Sequence, residues 1–292
     1  MKQFFLLITI CISVFTLYSQ PQEDTSVVDY IIPVDFRTWD IQQTQDNKST
    51  WNTIYLPKIN RTIEISAFIS IVDEDTSHSV EKIEKQLQQV NKDYEPIGLS
   101  FKICKYNYFH GKVYDTVSTY PPNYDYMDLV QKFYEPYTIN MYFVNTIETG
   151  KGKYAGGFAT LPNPTDTKHE NDYVFIADLF AISHELGHFF GLYHPHETSF
   201  GREYADGSNC DTAGDLLCDT PAEPDLTFFH NQQCHYTGND SPIILVDPQG
   251  DRYIPSVTNI MSYIQPACMK TFTNQQFKKM ILVHNSFKMY LR

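Results

Sequence analysis

The chain has 292 residues, a length that fits one large domain or two small ones with a substantial core. Lys and Arg total 22 against 35 Asp and Glu, so the formal net charge is −13 at pH 7. This balance argues against nucleic-acid binding and against a polybasic membrane-surface protein, because both need clustered basic residues. Hydrophobic residues make up 42% and aromatic residues 15%, which is typical of a folded globular protein.

The N-terminus carries the pattern of an export signal. Lys2 precedes an apolar run from Phe4 to Leu17, which is shorter than the ~20 residues of a membrane-spanning helix. Ser19 is a small residue suited to the cleavage point. Residues 1–19 are therefore predicted to be a signal peptide, and the mature chain is predicted to be secreted or periplasmic, without a membrane span. An uncleaved N-terminal anchor is the alternative.

Residues 20–58 are polar and show little periodicity, so they are predicted to be an N-terminal extension, a pro-segment or a linker. From residue 59 onward, apolar residues recur with the periods of strands and helices. Alternation predicts strands at 61–71, 99–104, 138–145, 154–161 and 173–176, and the Gly-containing fourth strand is expected at a sheet edge. Helical spacing predicts helices that begin at Ser77 or Ser79, near Asp178 and after Thr273. This order predicts a mixed α/β first half.

One of these predicted helices carries the pattern H-E-x-x-H-x-x-G-x-x-H. His184 and His188 are one helical turn apart, so both imidazoles can bind a single zinc ion. Gly191 can take a left-handed conformation that ends the helix and brings His194 round as a third ligand. Glu185 then lies beside the metal, where it can polarise a bound water. Three nitrogen ligands leave one position open, which is typical of a catalytic zinc site.

The cysteines of an exported chain are expected to pair. Cys11 leaves with the signal peptide, and four of the remaining five lie in the last third of the chain: Cys210, Cys218, Cys234 and Cys268. Four cysteines allow three connectivities, which the sequence alone does not separate. Cys104 lies in a predicted half-buried strand, so we expect a buried, inert thiol there.

The chain resembles the pappalysin family of metzincin peptidases over about residues 60–292. The resemblance rests on the zinc motif with Leu192 inside it and on further matches at Asp219-Thr220-Pro221, Asn259–Tyr263, Cys268-Met269, Phe272-Thr273 and Gln276. It implies an α+β, metzincin-type catalytic domain at 59–292, divided into subdomains at 59–194 and 195–292. The first would hold a mixed twisted sheet with two long helices. The second would be loop-rich, disulfide-linked and closed by a helix.

The resemblance also implies roles for residues beyond the zinc motif. Met261 would form a hydrophobic floor beneath the zinc histidines, and Tyr263 would donate a hydrogen bond to the developing oxyanion. On its own, the pattern Asn-x-Met-x-Tyr is more often a sign of core packing than of a functional role. The disulfides would pair as Cys210–Cys234 and Cys218–Cys268. Some relatives bind calcium in these loops, and the oxygen donors available here are Asp211, Asp215 and Asp219, although solvated loop carboxylates are the alternative.

Together, the residues and the resemblance predict a secreted zinc endopeptidase in which Glu185 acts as general base toward a metal-activated water. Its partner would be a protein or peptide bound extended in a cleft, along the predicted edge strand at 154–161. A non-catalytic zinc-binding protein on a metzincin scaffold and a metallohydrolase of small amides are the alternatives. The intact Glu185 favours catalysis, because zinc binding alone does not require it.

Overall fold

The structure is a computed structural model that describes residues 30, 32–47, 50–51, 53–71, 78–110, 114–120, 125–240 and 244–292. The predicted signal peptide lies outside these residues. The helices are α1 (Val34–Asn47), α2 (Val80–Tyr94), α3 (Tyr126–Lys132), α4 (Ile182–Phe189) and α5 (Asn274–Val283). The strands are β1 (Arg61–Ile71), β2 (Leu99–His110), β3 (Thr116–Ser118), β4 (Ile139–Phe143), β5 (Thr146–Gly150), β6 (Lys153–Ala155), β7 (Gly157–Ala159) and β8 (Tyr173–Ile176). Among the described residues, no helix combines the length and apolar character needed to cross a bilayer.

The predicted α+β fold with a mixed sheet is confirmed. The main sheet has the order β2-β1-β4-β8-β7, in which only the β7–β8 pair is antiparallel. A small second sheet has the order β3-β5-β6. The predicted edge strand at 154–161 is divided into β6 and β7, and β7 forms one edge of the main sheet. That edge lies next to α4, the helix that carries the zinc motif.

Each face of the main sheet packs on its own apolar cluster. The alternating residues Ile63 to Ile69 of β1 face a cluster that includes α2, α4 and α5, whereas Phe68 faces a second cluster that includes α3 and the small sheet. This division follows from the period-2 geometry of a strand. α2 begins where predicted, because the Ser79 side chain accepts a hydrogen bond from the Lys82 amide.

Helix α1 lies in the segment for which no regular structure was predicted. Its buried positions are Phe36, Asp40 and Thr44, one per turn, and two of the three are polar. A helix whose buried face is mostly polar leaves no apolar periodicity in the sequence. The segment nevertheless packs on the rest of the fold, because Phe36 and Tyr30 belong to an apolar cluster with Tyr193 and Val283.

The prediction of a buried thiol at Cys104 is wrong, since this side chain is exposed. β1 pairs with β2 in a register that joins Ile65 to Ile103 and Ser66 to Lys105, so Cys104 is an extra, bulged residue. Cys104 also lies on the outward face of the strand, which it shares with Ser100 and Lys102, whereas Phe101 and Ile103 face the core. The Cys104 thiol bonds the Ile65 carbonyl oxygen at 3.4 Å.

The second half of the chain is loop-rich, as predicted: the described residues between 195 and 273 form turns and isolated bridges but no helix or named strand.

The predicted disulfide pairing is wrong. The bonds are Cys210–Cys218 and Cys234–Cys268, with Cα–Cα distances of 5.0 and 5.5 Å. The chain after Cys210 doubles back through left-handed residues, Gly214 (φ 61°) and Leu216 (φ 65°), which bring Cys218 beside it.

Candidate metal centre and active site

Three histidine side chains converge at the C-terminal end of α4. The Nε2 atom of His188 lies 3.0 Å from that of His184 and 3.1 Å from that of His194, and the His184–His194 distance is 3.1 Å. All three side chains are buried. The structure therefore brings together the three residues that the motif predicted as metal ligands.

The hydrogen bonds of two of these rings determine which nitrogen faces the centre. Nδ1 of His184 lies 2.7 Å from the Ile260 carbonyl oxygen, and Nδ1 of His188 lies 2.7 Å from the Leu192 carbonyl oxygen. A carbonyl oxygen only accepts, so each Nδ1 carries the hydrogen and each neutral ring presents the Nε2 lone pair to the centre. Lone pairs at this separation repel unless a cation lies between them. The donor set thus fits a zinc ion, for which imidazole nitrogen is a preferred ligand.

The turn after α4 depends on Gly191. Its φ of 88° is left-handed, and the amide of Leu192 bonds the Gly187 carbonyl oxygen at 2.9 Å, which closes the helix end. A Cβ atom at Gly191 would lie 2.7 Å from Val283 and 2.9 Å from Phe36. The backbone conformation and the close packing together require glycine at this position, and the resulting turn carries the chain back to place His194.

Glu185 is almost fully buried beside the histidines, and the edge strand β7 closes over it. A Cβ atom added at Gly157 would collide with the Glu185 carboxylate. Strand β7 can therefore approach the Glu185 side chain so closely only because residue 157 is a glycine, which has no side chain. This contact between strand and carboxylate is a long-range feature that the motif does not contain.

We expect Gly157→Ala to displace the Glu185 carboxylate while leaving the zinc histidines in place. A displacement of about 1 Å in a catalytic group can lower kcat by roughly 10²-fold. Peptide hydrolysis rates, zinc content and thermal unfolding would be measured together. Gly150→Ala is the matched control, because its added Cβ would make only ordinary contacts with Lys153. Equal activity of the two variants would show that Gly157 does not position Glu185.

Met261 and Tyr263 both lie close to the histidine cluster. The Met261 side chain is fully buried and packs against Gly187 of α4, beneath the histidines. The Tyr263 ring centroid lies 4.4 Å from that of His194 and 6.1 Å from that of His184. The Met261 backbone is held by a 2.8 Å hydrogen bond from its amide to the Asn259 side chain.

A cleft with a volume of about 430 Å³ opens beside these groups. Its walls include the β7 edge at Gly157, the side chains of Glu185 and Tyr263, and the apolar side chains of Ile264 and Met269. Glu185 and Tyr263 therefore line one cleft together with the edge strand of the main sheet.

Sequence reasoning missed Tyr30, which lies against the metal centre. Its ring centroid is 4.4 Å from that of His188 and 5.1 Å from that of His194, and its hydroxyl donates a hydrogen bond to the Glu197 carboxylate. No sequence signal marks a contact across more than 150 residues in a polar segment. His196 was also missed, although its position two residues after His194 places it next to the centre.

The structure gives no support to the predicted calcium site. Among the described residues, the histidine triad is the only group of three or more His, Cys, Asp or Glu residues whose ligand atoms lie within 4.8 Å of one another. Asp215 accepts hydrogen bonds from the Leu217 amide and the Thr220 hydroxyl, and its burial raises its pKa to about 8. Asp219 accepts from the Gln275 amide at 2.8 Å. These two carboxyl groups stabilise loops, and Asp211 does not join them in a ligand group.

Comparisons with known proteins agree with this site. The sequence profile of the peptidase M43 family, described as pregnancy-associated plasma protein-A, matches residues 124–285. An extracellular metalloprotease of Arthroderma gypseum is 25% identical over 264 residues, covering 82% of this chain and 78% of the relative. An extracellular metalloprotease of Arthroderma benhamiae is 24% identical over 250 residues, covering 77% and 74% of the two chains.

Among solved structures, mature mirolysin of Tannerella forsythia in complex with a cleaved peptide is similar, with 19% identity and a TM-score of 0.47. The match covers 75% of this chain and 90% of that one. The family profile spans more than half of the present chain and includes the zinc motif. The chain belongs to the peptidase M43, or pappalysin, family of metzincin zinc metalloendopeptidases.

Proposed function

We propose that the protein is a secreted endopeptidase that uses one zinc ion, held by His184, His188 and His194, and Glu185 as general base. The observation that carries this proposal is the position of the Glu185 carboxylate, buried beside three converging Nε2 atoms at the wall of an open cleft. A zinc ion in this position supplies Lewis acidity, which makes water nucleophilic near neutral pH and polarises a carbonyl group. The extracellular relatives support secretion.

Separate residues of the chain would carry out proton transfer, oxyanion stabilisation and substrate binding. Glu185 accepts the proton of the attacking water and then delivers it to the leaving amine. Tyr263 donates a hydrogen bond to the substrate carbonyl oxygen as negative charge develops on it. The outer edge of β7, the terminal strand of the main sheet, lines the cleft at Gly157, where it would pair with the backbone of the extended substrate and present the scissile bond to the site. In this arrangement Met261 supports the histidine cluster from below.

The proposal is tested with a peptide library and a folded protein such as casein, each incubated with and without a zinc chelator. Mass spectrometry is expected to find internal peptide-bond cleavage that the chelator abolishes and added zinc restores. Cleavage that persists in the chelator would contradict the metal dependence. Zinc binding without any cleavage would favour a non-catalytic protein, and turnover of small amides alone would favour the metallohydrolase alternative.

A further inference from the structure

His196 lies between two groups of the site without any role assigned to it above. Its ring is stacked on the His194 ring, with centroids 4.7 Å apart and an interplanar angle of 5°. Its centroid is also 4.7 Å from that of Tyr263. The side chain is only 7% exposed. One buried imidazole thus contacts both a proposed zinc ligand and the proposed oxyanion donor.

A second connection between His196 and the Tyr263 segment runs through Glu223. The Nδ1 atom of His196 lies 3.5 Å from Oε1 of Glu223. The other carboxylate oxygen of Glu223 accepts a 2.9 Å hydrogen bond from the hydroxyl of Ser262. Ser262 directly precedes Tyr263 and is fully buried. His196, in the loop after the third histidine, therefore contacts the Tyr263 ring directly. It also contacts Glu223, which is hydrogen-bonded to Ser262, the residue before Tyr263.

Burial of the Glu223 carboxylate between two loops reduces the stability of the fold. The Glu223 side chain is 1% exposed, and taking a carboxylate out of water destabilises a fold unless its partners are well placed. An apolar contact would fill the same space without this cost. The hydrogen bond from Ser262 to Glu223 is directional, so it fixes the orientation of the residue next to Tyr263 in a way that apolar packing does not, while His196 is in close contact with the other carboxylate oxygen. Oxyanion stabilisation needs such a fixed donor, because its benefit comes from preorganisation.

We propose that His196, Glu223 and Ser262 form a positioning unit that holds the Tyr263 phenol in its productive geometry. The unit acts through Tyr263 and does not touch the substrate. This inference rests on the proposed function, in which Tyr263 donates a hydrogen bond to the developing oxyanion. It assigns a kinetic role to three residues outside the zinc motif.

A double-mutant cycle between His196→Ala and Tyr263→Phe tests the inference. Each single variant is expected to lower kcat by about 10-fold or more with little change in KM, because each impairs a transition-state interaction. The double variant is expected to be no slower than Tyr263→Phe alone, because the proposed unit affects the reaction through Tyr263 and not through the stacking of His196 on His194. Zinc content and thermal unfolding are measured on every variant. His235→Ala is the matched control, because His235 is an exposed histidine of the same loop region.

Conservative variants separate positioning from simple stability. Ser262→Ala removes only the hydrogen bond to Glu223 and should lower kcat in the same direction, with a smaller effect than His196→Ala. His196→Phe keeps an aromatic ring beside Tyr263 and should recover part of the loss seen in His196→Ala. Both variants remain informative if His196→Ala does not fold.

The outcomes distinguish the inference from the proposed function. Additive losses in the double variant would overturn the inference while leaving the catalytic role of Tyr263 intact. Loss of zinc from His196→Ala would also overturn it, because His196 would then support the ligand loop. Full activity of Tyr263→Phe would contradict the proposed role of Tyr263 and the inference together, although zinc-dependent cleavage would still stand.

Discussion

Replacing Glu185 with alanine is expected to lower kcat by about 10²–10⁴-fold while the zinc ion stays bound. The carboxylate is the proposed acceptor of the water proton, whereas the three histidine nitrogens form the metal site without it. Removing the side chain opens space against Gly157. Initial rates on a fluorogenic peptide, zinc content and the unfolding temperature would be measured on the same preparation.

The control for this variant is Glu170→Ala, which removes an exposed glutamate elsewhere on the chain and should leave activity unchanged. A Glu185→Ala enzyme that retains wild-type kcat would exclude Glu185 as the general base. A variant that loses both zinc and activity would instead place Glu185 among the residues that hold the metal.

Replacing Asp40 with alanine is expected to reduce the free energy of unfolding by about 3–5 kcal/mol. Oδ2 of Asp40 lies 2.7 Å from Nζ of Lys279, and both side chains are almost fully buried. Burial raises the pKa of Asp40, and the Lys279 ammonium opposes this rise. Without Asp40, the buried Lys279 ammonium would lose its carboxylate partner at 2.7 Å, although it would keep its contact with the face of the Tyr193 ring, 4.1 Å from the centroid. Denaturant unfolding gives the measurement.

Two further variants make this result specific. Asp46→Ala removes an exposed acid of the same helix and should cost well under 1 kcal/mol. The pair Asp40→Leu with Lys279→Met removes both charges and should recover most of the lost stability, because no unpaired charge remains. A small effect of Asp40→Ala would show that α1 is not an integral part of the catalytic unit. The buried ion pair therefore favours retention of residues 30–47 in the active enzyme.

The regular elements were predictable where their signal is local. The strand Arg61–Ile71 alternates over its full length, and the helix Val80–Tyr94 combines an apolar stripe with a serine cap. The last helix begins after Thr273, as predicted, with a capping box in which the side chains of Thr273 and Gln276 each bond the backbone of the other. In these segments the residue propensities, the apolar periodicity and the helix caps all predict the same secondary structure, and the tertiary contacts preserve it.

The zinc ligands were predictable for the same reason, since helical spacing and one glycine turn determine the convergence of His184, His188 and His194. Other features depend on contacts between distant residues. The bulge at Cys104 is set by pairing with a neighbouring strand, and the disulfide partners are set by left-handed turns. The approach of Tyr30 to the histidines leaves no periodic pattern in the sequence.

The central claim is that one zinc ion, bound by three histidines, makes this chain an endopeptidase. A titration of zinc into metal-free protein, followed simultaneously by metal analysis and by the rate of internal peptide-bond cleavage, tests it most directly. The rate is predicted to rise in proportion to bound zinc and to reach its maximum at one zinc ion per chain. Cleavage in the metal-free protein, or full zinc occupancy without cleavage, would contradict the claim.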